Sequence, residues 1–95
     1  MTEERMAALS ARLTEMGIQH GQGRYGGRAW ISAKINGVYD LSVRAEIDDD
    51  ADDDTVAVSV RLNGELLRLD GDTATEFPEH LAAFISVLKQ KMEAE

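Results

Sequence analysis

Val56-Ala57-Val58-Ser59-Val60-Arg61-Leu62-Asn63-Gly64-Glu65-Leu66-Leu67-Arg68-Leu69 reads as two strands and the turn that joins them. Val56, Val58, Val60 and Leu62 alternate with Ala57, Ser59 and Arg61. That period of two sends successive side chains to opposite faces of a sheet. Asn63-Gly64 is a pair that accepts positive φ at both central positions of a type I′ turn, whose twist matches that of the flanking strands. A two-residue turn predicts Leu62 opposite Glu65, Val60 opposite Leu67 and Val58 opposite Leu69, so apolar side chains meet across the hairpin.

The alternation extends upstream. Ala29, Ile31, Ala33 and Ile35 alternate with Trp30, Ser32, Lys34 and Asn36; Tyr39, Leu41, Val43, Ala45 and Ile47 alternate with Asp40, Ser42, Arg44 and Glu46. A two-residue loop at Asn36-Gly37 mixes the two faces. A three-residue loop, Ile35-Asn36-Gly37 with Gly37 at a bulge, pairs Ala33 with Tyr39, Ile31 with Leu41 and Ala29 with Val43.

At both ends the period changes to 3.6. Met6, Leu9, Leu13 and Met16 form one helical stripe, with Thr2 as N-cap, Glu3 and Glu4 in the first turn, and Gly17-Ile18 as a glycine stop. Phe77, Leu81, Phe84, Ile85, Leu88 and Met92 form a second stripe over 77–92. Pro78 suits its first turn, and Glu76 and Glu79 near the start and Lys89 and Lys91 near the end suit its dipole. Residues 19–27 read as a glycine-rich connector. The expectation is a single α+β domain over 1–95. It is a two-layer sandwich of a helix, a four-stranded antiparallel meander and a helix (αββββα), with both helices on the apolar sheet face.

Ninety-five residues suffice for one core without staples. There is no cysteine, which removes disulfides, thiolate metal sites and cysteine nucleophiles. No signal-peptide pattern and no apolar run of about 20 residues is present, so the expected location is the cytoplasm, of a bacterial or phage system, with no membrane contact. The net charge is −8. Asp48, Asp49, Asp50, Asp52, Asp53 and Asp54 supply six negatives; taking them from the 18 acidic residues leaves 12 against 10 basic ones. The acidity is one local cluster on a nearly neutral body, and the overall sign opposes binding to a phosphate backbone.

Gly21-Gln22-Gly23-Arg24-Tyr25-Gly26 matches G-x-G-x-x-G, but it follows a helix and precedes a strand, the reverse of the dinucleotide-binding order. Through Arg28 it also resembles short Arg/Gly/Tyr stretches that contact RNA. Asp48, Asp50 and Asp52 fit positions 1, 3 and 5 of a calcium loop, but Asp53 stands where glycine is needed and Ser59 where a bidentate glutamate is needed. His20 and His80 accompany no nucleophile motif. The expectation is therefore no enzyme, no cofactor and no metal ligand set.

Two surfaces remain as partner-binding candidates. One is the acidic loop of Asp48, Asp49, Asp50, Asp52, Asp53 and Asp54, whose mutual repulsion a cationic partner would relieve. The other is the open sheet face. With Ile47 opposite Val56, its cross-strand rows read Arg28, Arg44, Ser59, Arg68 and Trp30, Ser42, Arg61, Leu66. The face then carries Arg28, Lys34, Arg44, Arg61 and Arg68 against Asp40, Glu46 and Asp70. Arginine beside tryptophan is a favoured composition for binding hot spots. The competing reading is a solvated face laced by ion pairs. The functional expectation is a non-catalytic interaction or regulatory domain binding another protein through one or both surfaces, with homodimerisation through the open face or an edge strand as a variant. The alternative is a small acidic phage-type inhibitor of a restriction or CRISPR system, by nucleic-acid mimicry or without it. Direct nucleic-acid binding by the Arg/Trp face is a third class that the net charge opposes.

Overall fold

The structure, a computed structural model, describes residues 2–35 and 41–94, the side chains of Met92 and Ala94 excepted. The elements are α1 (Thr2–Glu15), β1 (Gly21–Tyr25), β2 (Arg28–Ile35), β3 (Leu41–Asp48), β4 (Thr55–Leu62), β5 (Glu65–Thr73) and α2 (Phe77–Ala94). The strands form one antiparallel sheet in chain order, β1-β2-β3-β4-β5. Met6, Leu9 and Leu13 of α1 and Phe77 and Leu81 of α2 share one buried cluster with Ala29, Ile31, Ala33, Val43, Ala45, Ile47 and Val56. Both helices therefore lie on the same sheet face.

The α1 terminus follows its sequence signal. Gly17 takes φ +74°, its N–H donates to the Thr14 carbonyl (3.0 Å), and the Ile18 N–H reaches back to Leu13 (2.9 Å). This is a Schellman closure, which satisfies carbonyls that the helix itself leaves unpaired. Thr2 stands in the first helical turn rather than before it.

Five strands replace the expected four. The segment read as a connector contains β1, folded onto β2 by Gly26 and Gly27 at φ +51° and +80°, a two-residue turn with both residues left-handed. Its signal was silent because it is an edge strand with little burial. Gly21, Gly23 and Tyr25 lie on one face, Gln22 and Arg24 on the other, so no apolar alternation is required.

The β2–β3 register also differs. Ala33 pairs with Val43, Ile31 with Ala45 and Ala29 with Ile47, four residues beyond the expected partners. The displacement is even, so every side chain keeps its predicted face. The Asn36-Gly37 turn, Tyr39 and Asp40 lie outside the described residues. Between β3 and β4 the expected rows hold: Ser42 pairs with Arg61 and Arg44 with Ser59.

The β4–β5 hairpin opens as predicted. Asn63 and Gly64 have φ +52° and +86°, and Leu62 meets Glu65. The register then shifts between Val60 and Arg61, so Val60 pairs with Arg68, Ser59 with Leu69 and Val58 with Asp70. Leu67 is the extra residue of this bulge. Beyond it the faces of β5 exchange. Leu69 joins the open face, and Arg68, Asp70 and Asp72 turn to the helix side, which removes Arg68 and Asp70 from the expected open-face rows.

Candidate functional site

The open face exists and carries Trp30, but its charges are engaged. Among the described residues it holds Arg28, Lys34, Arg44 and Arg61 against Glu46 and Asp48. Arg28 lies 3.5 Å from Glu46 and 4.0 Å from Asp48, and Arg44 lies 3.9 Å from Glu46. Tyr25 also donates to Glu46, which pushes the phenol pKa up because ionising it would place two anions together. The Arg44 guanidinium stands 4.7 Å from the centre of the Trp30 ring, a cation–π stack. The indole in turn occupies the space over Gly23, where an added Cβ would come within 2.7 Å of it. Trp30 is thus half-buried between the edge glycine and Arg44, in the manner of a solvated, ion-paired face. The expected rows are redrawn: Trp30 pairs with Glu46, Arg28 with Asp48, and Arg61 lies between Ser42 and Leu66.

The acidic loop is held by its own molecule. Arg5 of α1 donates to the carbonyls of Ala51 and Asp52, both at 3.1 Å. Arg24 of β1 bonds Asp49 at 2.6 Å and Glu3 at 3.1 Å. Asp49 consequently stays ionised below the ordinary carboxylate range, first through Arg24 and then through Thr2. Asp48 and Asp53 accept the N–H groups of Asp50 and Thr55, as short acidic side chains do in turns. Asp53 is lowered by Thr55. Asp54 accepts both the N–H and the hydroxyl of Thr75, tying the loop to the lead-in of α2. Within the chain, Arg24 and Arg28 supply cations to Asp49 and Asp48.

Two histidine constellations were not legible in the sequence. His20 Nδ1 donates to the Ile18 carbonyl (2.9 Å), and Ser10 Oγ lies 2.7 Å from Nε2, pinning the segment after α1 to that helix. Asp72, Glu76 and His80 come together where β5 hands over to α2, with ligand atoms within 4.8 Å of one another. The ring nitrogens face different carboxylates: Nδ1 is 2.7 Å from Asp72 and Nε2 is 3.6 Å from Glu76. This geometry suits a protonated ring between two anions. The Asp72 hydrogen bond, then its charge, raises the His80 pKa. A raised folded-state value means this contribution to stability is present below the unfolded pKa of about 6.5 and fades as pH rises through the folded value. Asp72→Asn is expected to bring the His80 titration midpoint, followed by NMR of the ring protons, down towards the ordinary value; an unchanged midpoint would refute the clamp.

A groove of about 720 Å³ lies on the helix side. Its floor is Val43, Val58 and Val60, with Leu41, Leu62 and Leu67 towards one end. Its wall is the α2 stripe of Phe77, Leu81, Phe84 and Leu88, and Arg68, Asp70, Asp72 and His80 form the polar rim. The cause is visible in the packing. Phe77 and Leu81 are buried, but Phe84 and Val87 further along α2 are 37% and 50% exposed. Beyond the bulge, β5 offers α2 charged residues instead of leucines. The apolar face at the hairpin end of β4 and β5 is consequently only partly covered: Val58 and Val60 are half-buried, and Leu67 is 57% exposed.

Comparison with family models, with curated proteins and with solved structures finds no match for this chain. Among the described residues, no helix is long and apolar enough to cross a membrane.

Proposed function

We propose that this chain is a non-catalytic protein-interaction domain that takes its partner on the groove between α2 and the β4–β5 end of the sheet. The supporting observation is that groove: an apolar trough lined in part by exposed Leu67 and Phe84. Contiguous exposed apolar surface rimmed by polar residues marks interaction sites in otherwise well-buried domains. The groove is preferred to the open face because Arg28 and Arg44 already have anionic neighbours there, and to the acidic loop because Arg5 and Arg24 hold that loop.

The stack of Arg44 on Trp30 favours one other surface for the same class of function, the open face with Arg28, Trp30, Arg44 and Arg61. A photo-crosslinking side chain placed at position 67, and separately at position 44, distinguishes the two in extracts of cells that express the chain. The expected result is a discrete protein adduct from position 67. Adducts from position 44 alone would move the function to the open face, and none from either would end the interaction-domain reading. An inhibitor of a nucleic-acid-binding enzyme would be a special case of this function, recognised by the identity of the adduct.

A further inference from the structure

We propose that a second copy of this chain joins this one through β5, paired antiparallel with β5 of its mate about a two-fold axis at Leu69. The proposal goes beyond the groove reading: it adds a contact at the sheet edge that leaves the groove open.

β5 is an edge strand of nine residues, and residues 65–71 are all exposed. Natural sheets guard such edges with proline, charge, bulges or a covering element. The chain's one proline is Pro78, in α2. The bulge lies at Leu67, so a dyad at Leu69 pairs residues 68–70 regularly and sets Leu67 opposite Gly71 at each end. The edge charges Arg68 and Asp70 are of opposite sign, which a second copy can complement. Leu69 in this run is 68% exposed.

The backbone faces outward where pairing needs it. The N–H groups of Gly71 and Thr73 bond the carboxylates of the residues just before them, Asp70 at 3.3 Å and Asp72 at 2.8 Å. Those N–H groups therefore point away from β4, and by strand alternation so does that of Leu69. A dyad at Leu69 forms a hydrogen-bonded pair of this residue with its own copy.

The charges select this register. About Leu69, each Arg68 stands directly opposite Asp70 of the partner, giving two opposite-charge pairs on one sheet face. A dyad at Arg68 sets arginine against arginine, and one at Asp70 sets aspartate against aspartate; like charges in that position are unfavourable. In the single chain Arg68 bonds Asp70 two residues along, at 2.6 Å, a pair that the dimer exchanges for the same two groups of the mate. The pairing continues the sheet with the helix layers on one side, and the two apolar grooves lie on that side flanking the dyad.

The test is sedimentation equilibrium of the full chain over micromolar to millimolar concentration, with circular dichroism to confirm folding. Wild type is expected to pass from 10.4 kDa to twice that mass. Arg68→Asp alone and Asp70→Arg alone are each expected to weaken association roughly tenfold by setting like charges opposite. An equimolar mixture of the two variants is expected to recover it, because each chain then faces its opposite in the other. Loss of the intrachain Arg68–Asp70 pair cannot explain that recovery, since the pair is absent from both variants. Leu69→Pro removes the outward N–H at an edge position where proline is tolerated, and is expected to abolish the dimer. A wild type monomeric at millimolar concentration, or variants that associate equally well without complementation, would overturn the proposal. A monomeric wild type that still gives a foreign-protein adduct from position 67 would remove only the dimer and leave the interaction-domain reading standing.

Discussion

Phe77→Ala is expected to cost about 3–5 kcal/mol of folding stability, the usual range for truncating a buried aromatic residue. Phe77 is 2% exposed, opens α2, and packs in the cluster that holds Met6, Leu9 and Leu13 of α1. Removing the ring leaves a void where α2 enters the fold, and α2 has few other anchors, since among its described side chains only Phe77, Pro78 and Leu81 are fully buried. At about 4–8 °C per kcal/mol for a domain of this size, the melting temperature should fall by at least about 12 °C. Phe84→Ala, one ring in the same stripe, is the control. Phe84 borders the open groove and is 37% exposed, so its truncation should cost about 1 kcal/mol or less. Equal losses for the two residues would mean that α2 is seated along its whole length and that the groove is closed.

Leu13→Ala is the second large effect, expected at the upper end of the roughly 2–5 kcal/mol range for leucine truncation. The side chain is completely buried, and the sheet residues of the same cluster include Ala29, Ala33 and Ala45. Alanines cannot extend to fill the space a leucine leaves, so the cavity should persist and the cost should not relax. Leu13→Met keeps the volume and should cost less than about 1.5 kcal/mol. Chemical denaturation of the three proteins provides the comparison. A Leu13→Ala variant within about 1 kcal/mol of wild type would show that α1 does not seal the sheet as described.

Much of the architecture could be read in advance because local patterns and tertiary packing agree. The two helical stripes, Gly17, Asn63-Gly64 and the alternation of β2, β3 and β4 each name a local geometry, and each is found. The β3–β4 rows expected with Ile47 opposite Val56 are found, Ser42 on Arg61 and Arg44 on Ser59. β1 was missed because an edge strand of glycine, glutamine and arginine contributes no burial, and burial is what writes a period of two into a sequence. The β2–β3 register was displaced because alternation constrains parity but not which of several even offsets is chosen.

The candidate site divides in the same way. Trp30 and Arg44 were assigned to the open face by parity alone, and parity survived. Arg68 and Leu69 were exchanged between faces by one inserted residue at Leu67, which leaves no mark in a run of leucines where either register buries something apolar. The His80 clamp spans two elements, and the hold of Arg5 and Arg24 on the 48–54 loop joins residues distant along the chain; no local pattern could report either. What the amino-acid order determined by itself was the class of each segment and the face of each side chain before the bulge, because these depend on backbone periodicity and turn chemistry within a few residues. Only the tertiary structure decided which faces stay bare. Coverage of the sheet depends on how far α2 reaches and on a one-residue shift in β5, and both come from the competition of long-range contacts.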